Sequence, residues 1–403
     1  MKPSIRGKKS EKSTELLLIA VSVMLFLVIL ETFHEGIIPD ARLGTCLLCD
    51  TNGEGVLREP NEAPPMCSVF SASSGEKVFL GANLDYLPQD YFGNPPSLFI
   101  FPAQEEENEP SIGHSAGYGF VAFGFLLSEG KSKCESYLGG MNEKGLAFGT
   151  SGLPRAPLNP HPERPYSISS EFFHLKAMRK CSDITCVIEL ANKFNWGDSS
   201  SMLGQHHFTD SAGDAVVISA GKDGELAFTR KKKGDSFLVS TNFNLANPDN
   251  GKYPCWRYDT AVALLEVEKD FSLPFLASIL DAIHVEGESV NTICSYIFDL
   301  RTGDIYVSHF HQFEEIYKTN LSDELTNSRG SWCSVKHLRE LFSQETRNRA
   351  FSEFQKYKER YFARITLKIA SYIAVLLGCC LIIYKVAGNL RKEGSIECRK
   401  EEK

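Results

Sequence analysis

Two apolar runs near the ends of this chain constrain its folding more than anything between them. Ile369 to Tyr384 carries no charged side chain. Extended back through Ile365 to Leu367, it reaches about the 20 residues that cross a hydrocarbon core, and Lys368 is long enough to snorkel its ammonium to the interface. A terminal helix between basic flanks has little domain left to bury it, so 365–388 reads as a transmembrane helix and 389–403 as a cytosolic tail. Leu16 to Leu30 is also uncharged and follows Arg6, Lys8, Lys9 and Lys12. After a cytosolic tail at 1–14, residues 15–33 read as a signal peptide or a retained membrane anchor. Basic residues before the second run (Lys356, Lys358, Arg360, Arg364) roughly match those after it (Lys385, Arg391, Lys392, Arg399, Lys400), so the first segment sets the orientation. Its basic tail stays in the cytosol, and the chain between the runs is expected to be extracytoplasmic or lumenal.

That intervening chain has globular texture, since 42% of the 403 residues are hydrophobic and 23% are charged. A net charge of −8 without a concentrated basic face argues against nucleic acid as a partner. Residues 34–66 hold Asp50 to Gly55 and Pro60 to Pro65, turn formers without periodicity, and read as linker or propeptide. From Cys67 short β-rich runs begin, interrupted by a helical stretch from Ser167 to Phe194 that breaks near Cys181 to Asp183. Strands return at His207 to Thr209, Ala215 to Ser219, Glu225 to Arg230 and Ser236 to Asn242. Helices are expected over Trp256 to Glu268 and Leu273 to Ile283, then strands over Ser295 to Leu300 and Asp304 to His309. Alternating strand and helix blocks imply an α+β domain over 67–325 with sheets covered by helices, an αββα sandwich or a related layer fold. The charged pattern at 326–364 reads as a helical stalk feeding the second span.

Chemistry concentrates on Cys67. If the bond from Met66 to Cys67 is cut, one residue carries both a nucleophile and a base, because an α-amino group with a reference pKa of about 7.7 to 8.0 suits proton transfer near neutrality. Other candidates are weaker. Cys46 and Cys49 have metal-site spacing but no second ligand pair follows, so they read as a disulfide or as free propeptide thiols, and no metal is expected. Cys181 and Cys186 are a second possible disulfide among the twelve cysteines. His309 and His311 alternate on an expected strand and are read as solvent-exposed; His206 and His207 receive no catalytic role. Asn320-Leu321-Ser322 is the single glycosylation acceptor pattern.

Several motifs then arrive in a recognisable order: Met66-Cys67, Asn83-Leu84-Asp85, Gly140 to Leu146, Phe208-Thr209-Asp210 with Gly213, Ser240-Thr241-Asn242, and Pro254 with Arg257. In this the chain resembles the linear-amide C–N hydrolases of the N-terminal-nucleophile superfamily, the choloylglycine hydrolase and penicillin V acylase group, from about Met66 to Asn320. The resemblance implies a four-layer αββα N-terminal-nucleophile hydrolase fold, here flanked by N- and C-terminal membrane segments. It implies Cys67 as nucleophile, Asp85 as the carboxylate that orients the N-terminal amine and thiol, Arg257 as the cation beside them, and Asn242 as an oxyanion donor. Asn142 belongs to the hairpin signature, with a turn role at least as good as a chemical one. Two positions depart from the family's pattern. Ala82 stands where bile-salt hydrolases carry an arginine, which argues against bile-salt specificity. Gly152 stands where those enzymes place an asparagine and penicillin V acylases a tyrosine, so an oxyanion donor there must be backbone N–H.

The resulting expectation is a membrane-tethered cysteine amidohydrolase that needs no cofactor and acts on a small N-acyl amide, with tethering near lipid hinting at an amphipathic acyl group. Interception of the same thioester by an amine would make it an acyltransferase. A non-enzymatic alternative is a receptor or scaffold on the same fold, but retention of Cys67, Asp85, Asn242 and Arg257 together argues against it.

Overall fold

The computed structural model describes residues 67–86, 96–104, 117–129, 132–168, 173–199, 202–251, 253–268, 270–287, 290–329 and 333–401. The expected tail and apolar segment at 1–33, the 34–66 linker with Cys46 and Cys49, and Met66 lie outside them. The described chain divides into two compact units, one ending at Tyr357 and the other starting at Lys358.

In chain order the first unit begins with β1 (Cys67–Ser74), β2 (Lys77–Tyr86), β3 (Ser97–Phe101), β4 (Phe120–Glu129), β5 (Ser132–Asn142), β6 (Ala147–Ala156) and β7 (Tyr166–Ser167). Helices α1 (Phe173–Lys180) and α2 (Ile184–Ala191) precede β8 (Phe194–Asn195), β9 (Met202–Thr209), β10 (Ala215–Ala220), β11 (Leu226–Arg230) and β12 (Phe237–Ser240). Then come α3 (Trp256–Val267), α4 (Leu273–Ala282), β13 (Asn291–Asp299), β14 (Asp304–His309), β15 (Gln312–Asn320), α5 (Leu321–Asn327), β16 (Ser334–His337) and α6 (Gln344–Glu401). Among the described residues the strands form a six-stranded sheet, β12-β1-β2-β13-β14-β15, and an eight-stranded sheet, β11-β10-β9-β6-β5-β4-β3-β16, with β7 and β8 paired separately.

Period-two alternation decides what each face touches. Val69, Leu80, Ala82 and Leu84 of the first sheet join Ile100, Phe123 and Met141 of the second in an apolar layer between them. The intervening residues of the same strands, Phe70, Ala72 and Phe79, pack against Ala261, Leu265, Leu276 and Leu280 of α3 and α4. On the far side Phe99, Phe101, Phe148 and Phe208 meet Phe173, Met178, Ile184 and Val187 of α1 and α2. The layers therefore run helix, sheet, sheet, helix.

Local chemistry fixes the joints. The β5–β6 hairpin turns on Asn142, whose Oδ1 accepts from the amides of Lys144 (3.1 Å) and Leu146 (3.0 Å), and on Gly145 at φ +75°. Asn142 Nδ2 donates to the carbonyls of Met178 (2.9 Å) and Cys181 (2.8 Å), so this side chain is structural. The break expected near residues 181–183 is real: Asp183 caps α2 by accepting from Cys186 N at 2.9 Å, and Cys181 and Cys186 form a disulfide.

Three expectations differ from the structure. The charged segment at 326–364 is not one helix, because Ser334–His337 pairs antiparallel with β3 and covers the edge of its sheet, and α6 starts only at Gln344. The first unit thus runs past residue 325, with Phe342 and Ala350 in the inter-sheet core. His309 and His311 do not alternate on one strand: β14 stops at His309, Phe310 turns the chain at φ +55°, and both imidazoles are buried. A basic run does exist at Arg230 to Lys233; Arg230 pairs with Asp214, and the run lines a cleft of about 500 Å³ beside Ser73, at the other end of β1 from Cys67. The second unit is the remainder of α6. Gln344–Val386 is long and apolar enough to cross a membrane, and its most apolar stretch has a mean hydropathy of 2.2 with none of it buried.

Candidate active site

Cys67 opens β1, directly opposite Leu84 of β2, so Asp85 follows its cross-strand partner. On the other side β12 pairs with β1 at Val69 and Ser240, and the chain leaving its end carries Asn242 to the same guanidinium that bonds Ser68, the residue after Cys67. Alternation then divides the side chains. The Cys67 thiol lies in the inter-sheet layer, whereas Asn83 and Asp85 point the opposite way, toward the layer of α3 and α4. Arg257, in the first turn of α3, reaches down onto that face.

Arg257 joins the group. Its Nη1 donates to Asp85 Oδ2 at 2.8 Å and to Ser68 Oγ at 3.1 Å, and its Nη2 donates to Asn242 Oδ1 at 2.6 Å. Asp85 is fully buried and accepts a second bond from Thr292 Oγ1 at 2.5 Å. Asn242 Nδ2 donates to the Gly152 carbonyl at 2.8 Å. Gly152 thus enters the group through its carbonyl oxygen, while its strand position pairs with Gly204. Asn83 braces the arrangement, donating to Leu280 O at 2.9 Å and accepting from Ser295 Oγ at 2.7 Å.

Burial dominates the electrostatics. It pushes Asp85 up to about 6, against Arg257 and the Thr292 and Arg257 hydrogen bonds, which favour the charged form; His284 acts in the same direction as they do. It pushes the Cys67 thiol up to about 12, reinforced by the Asp85 charge and opposed by a backbone hydrogen bond from Asp85 and by Arg257. The Arg257 guanidinium therefore offsets only part of the desolvation of both groups.

The sequence-derived residues Cys67, Asp85, Asn242, Arg257 and Gly152 are all brought together. Asn320 stands apart: it caps α5, accepting from Ser322 N at 2.9 Å, while its Nδ2 donates to Thr302 O and Asp304 Oδ1, both at 3.0 Å. Among the described residues no group of three His, Cys, Asp or Glu is placed to hold a metal. His207 is buried, bonds Ser240 Oγ at 3.0 Å and is pushed down to about 3 by burial and Lys231, so it is neutral. His206 bonds His174 on the outer face.

Sequence reasoning missed Ser68, Thr292 and Tyr296. Thr292 precedes the strand expected from Ser295, although the strand's true start at Asn291 makes it a polar residue at a buried position. Tyr296 lies across β2 from Val69, paired with Ala82. Among the described residues its buried hydroxyl has no hydrogen-bond partner, and burial and the thiols of Cys67 and Cys294 hold its pKa high. The paired glycines Gly139 and Gly149 make the dent for the phenol tip, since a Cβ at Gly139 would stand 1.8 Å from the hydroxyl.

No known protein family matches the sequence, and no curated protein does. Among solved structures, the chain is similar to a conjugated bile acid hydrolase from Clostridium perfringens, at 15% identity over 67% of this chain and 96% of that one, with a TM-score of 0.49. It is similar to penicillin V acylase from Agrobacterium tumefaciens at 13% identity, over 68% and 92% of the two chains, with a TM-score of 0.49. It is also similar to the Caenorhabditis elegans N-acylethanolamine-hydrolyzing acid amidase ortholog at 16% identity, over 58% and 93%, with a TM-score of 0.37.

Proposed function

We propose that this chain is a cysteine amidohydrolase of the N-terminal-nucleophile type, cleaving the linear C–N amide bond of a small N-acyl compound. The observation that carries the reading is Arg257 bridging Asp85 and Asn242 beside Cys67. A buried ion pair that also fixes a side-chain amide is costly to build, and buried ionisable groups of this kind concentrate at functional sites.

The position of Asp85 supports the role of the amine. Its carboxylate lies on the face of the sheet opposite the Cys67 sulfur, beside the start of β1, where a freed α-ammonium would stand. In the uncut chain the thiol is pushed up to about 12, so it needs a base of its own. After cleavage of the Met66–Cys67 bond, the α-amine takes the thiol proton as sulfur attacks the carbonyl carbon. The oxyanion so formed is met by the Asn242 amide, turned from Gly152 O; donors of this kind are worth about 10²- to 10³-fold in rate. Collapse breaks the C–N bond, and the amine leaves with the proton held on the α-ammonium. Water, deprotonated by the same amine, then splits the thioester and releases the acid.

An apolar span in α6 tethers the domain to a membrane, on the extracytoplasmic side by the charge rule applied to the first segment, and an amphipathic acyl substrate suits that address. The test is hydrolysis of a panel of N-acyl amides by purified full-length protein and its Cys67→Ala and Cys67→Ser variants. Loss of turnover in both variants, with unchanged circular dichroism, is expected. Full turnover by a folded Cys67→Ala protein removes Cys67 as the nucleophile.

A further inference from the structure

Asp85 is tied to the helix that leads toward the apolar span by hydrogen bonds through Thr292 to Val285, by the peptide bond from Val285 to Glu286, and by a hydrogen bond from Glu286 to Tyr357. Thr292 is the first link and its polarity is fixed. Its Oγ1 accepts from Val285 N at 2.8 Å, which leaves its single O–H to donate to Asp85 Oδ1 at 2.5 Å. The Thr292 amide returns a bond to Val285 O at 2.8 Å, so the two residues clamp each other. Glu286, next along, is held from two sides: one carboxylate oxygen bonds His284 Nε2 at 3.0 Å, and the other accepts from Tyr357 Oη at 2.8 Å. Tyr357 belongs to α6. One turn earlier on the same helix, Glu353 pairs with His311 Nε2 at 2.8 Å, and the His311 ring stacks on His284 with centroids 5.3 Å apart. Residues four apart on a helix share a face, so Glu353 and Tyr357 grip the segment 284–286 together.

We propose that Thr292 positions Asp85, and that Tyr357, through Glu286, secures Thr292, so that the first turns of α6 support the reacting site as well as leading to the membrane. The inference rests on reading Cys67 and Asp85 as the reacting pair. A carboxylate that must orient an amine needs its second oxygen fixed as firmly as the one on Arg257, and Thr292 is the fully buried group that does this. The groups facing Asp85 are Arg257 from α3, Cys67 from β1, Thr292 from β13 and His284 beyond the end of α4. Thr292 favours the ionised carboxylate, so its removal must raise the pH at which Asp85 gains a proton.

The experiment uses the full chain in detergent, with Thr292→Val, Thr292→Ser and Tyr357→Phe variants. Thr292→Val keeps the shape and removes the hydroxyl; the acid limb of its activity profile should move up by about one pH unit or more, with kcat falling and KM unchanged. Thr292→Ser keeps the hydroxyl and should restore the limb. Tyr357→Phe should speed amide hydrogen exchange at Val285 and Thr292 about tenfold and move the acid limb in the same direction, by less. An acid limb that stays in place in folded Thr292→Val overturns the proposal, as does unchanged exchange in Tyr357→Phe. If Thr292→Val does not fold, Thr292→Ser and Tyr357→Phe decide. If the wild type cleaves no amide, the functional reading fails by itself, and the exchange measurement still decides whether α6 holds this segment.

Discussion

Replacing Arg257 by Met tests the electrostatics of the site by leaving Asp85 buried without its cation. The change deletes hydrogen bonds of 2.8 Å to Asp85, 3.1 Å to Ser68 and 2.6 Å to Asn242. Among the side chains of the described residues bonded to the carboxylate, the Thr292 hydroxyl then remains. Removing one partner of a buried pair costs about 3–5 kcal/mol, because the other charge is left uncompensated. Arg257→Met combined with Asp85→Asn leaves no buried charge and should cost only about 1–3 kcal/mol. The pH dependence has a definite sign. Asp85 already titrates at about 6, above its ordinary 3.8, and Arg257 acts to lower that value, so the variant's folded-state pKa is higher still. Between the unfolded and folded values the native state binds the extra proton, so stability is lost as pH rises through that window. The deficit of Arg257→Met should be largest near pH 8 and shrink toward about pH 5. Urea unfolding followed by tryptophan fluorescence at both pH values measures it. A single variant as stable as wild type near pH 8, or a deficit independent of pH, would refute this account of the pair.

Two further outcomes follow from packing and from the apolar helix. Gly139→Ala would put a Cβ 1.8 Å from the Tyr296 hydroxyl and 2.4 Å from its Cζ, with the ring confined by Phe123. It should destabilise the domain by about 1–3 kcal/mol or more by thermal unfolding, and Tyr296→Phe should relieve only part of that because Cζ stays. A chain ending at Arg364 keeps Tyr357 and loses the apolar span; it should appear active in the soluble fraction while the full chain sediments with membranes, and sedimentation of the shortened chain would remove the span as the tether.

The legibility of this chain follows the range of its interactions. Alternation along Cys67 to Ala72 and Lys77 to Asn83, and the turn at Asn142 to Gly145, are local properties, and the strands and hairpin formed where they point. Cys67, Asp85, Asn242 and Arg257 were legible only as ordered motifs. What joins them is a guanidinium that crosses 172 residues of sequence to Asp85 and 15 to Asn242. Thr292 carries no local mark, because its bond to Asp85 depends on β13 pairing with β2 at a register shift beside it. Ser334–His337 lies within the charged segment 326–364 whose pattern reads as helical, yet the edge of β3 recruits it as a strand. His309 and His311 looked exposed because a two-residue period says nothing about a turn at Phe310, or about α6 lying over it with Glu353.

One covalent bond, between Met66 and Cys67, decides whether this mechanism operates. The α-amino group of Cys67 can act as base only if the chain is cut between Met66 and Cys67, so the most direct measurement is the N-terminal sequence of the active enzyme. Protein captured through an amide-mimicking thiol probe, then sequenced, should begin at Cys67 and carry the probe on that residue. Fully active, probe-labelled protein with Cys67 still joined to Met66 would contradict the proposed mechanism.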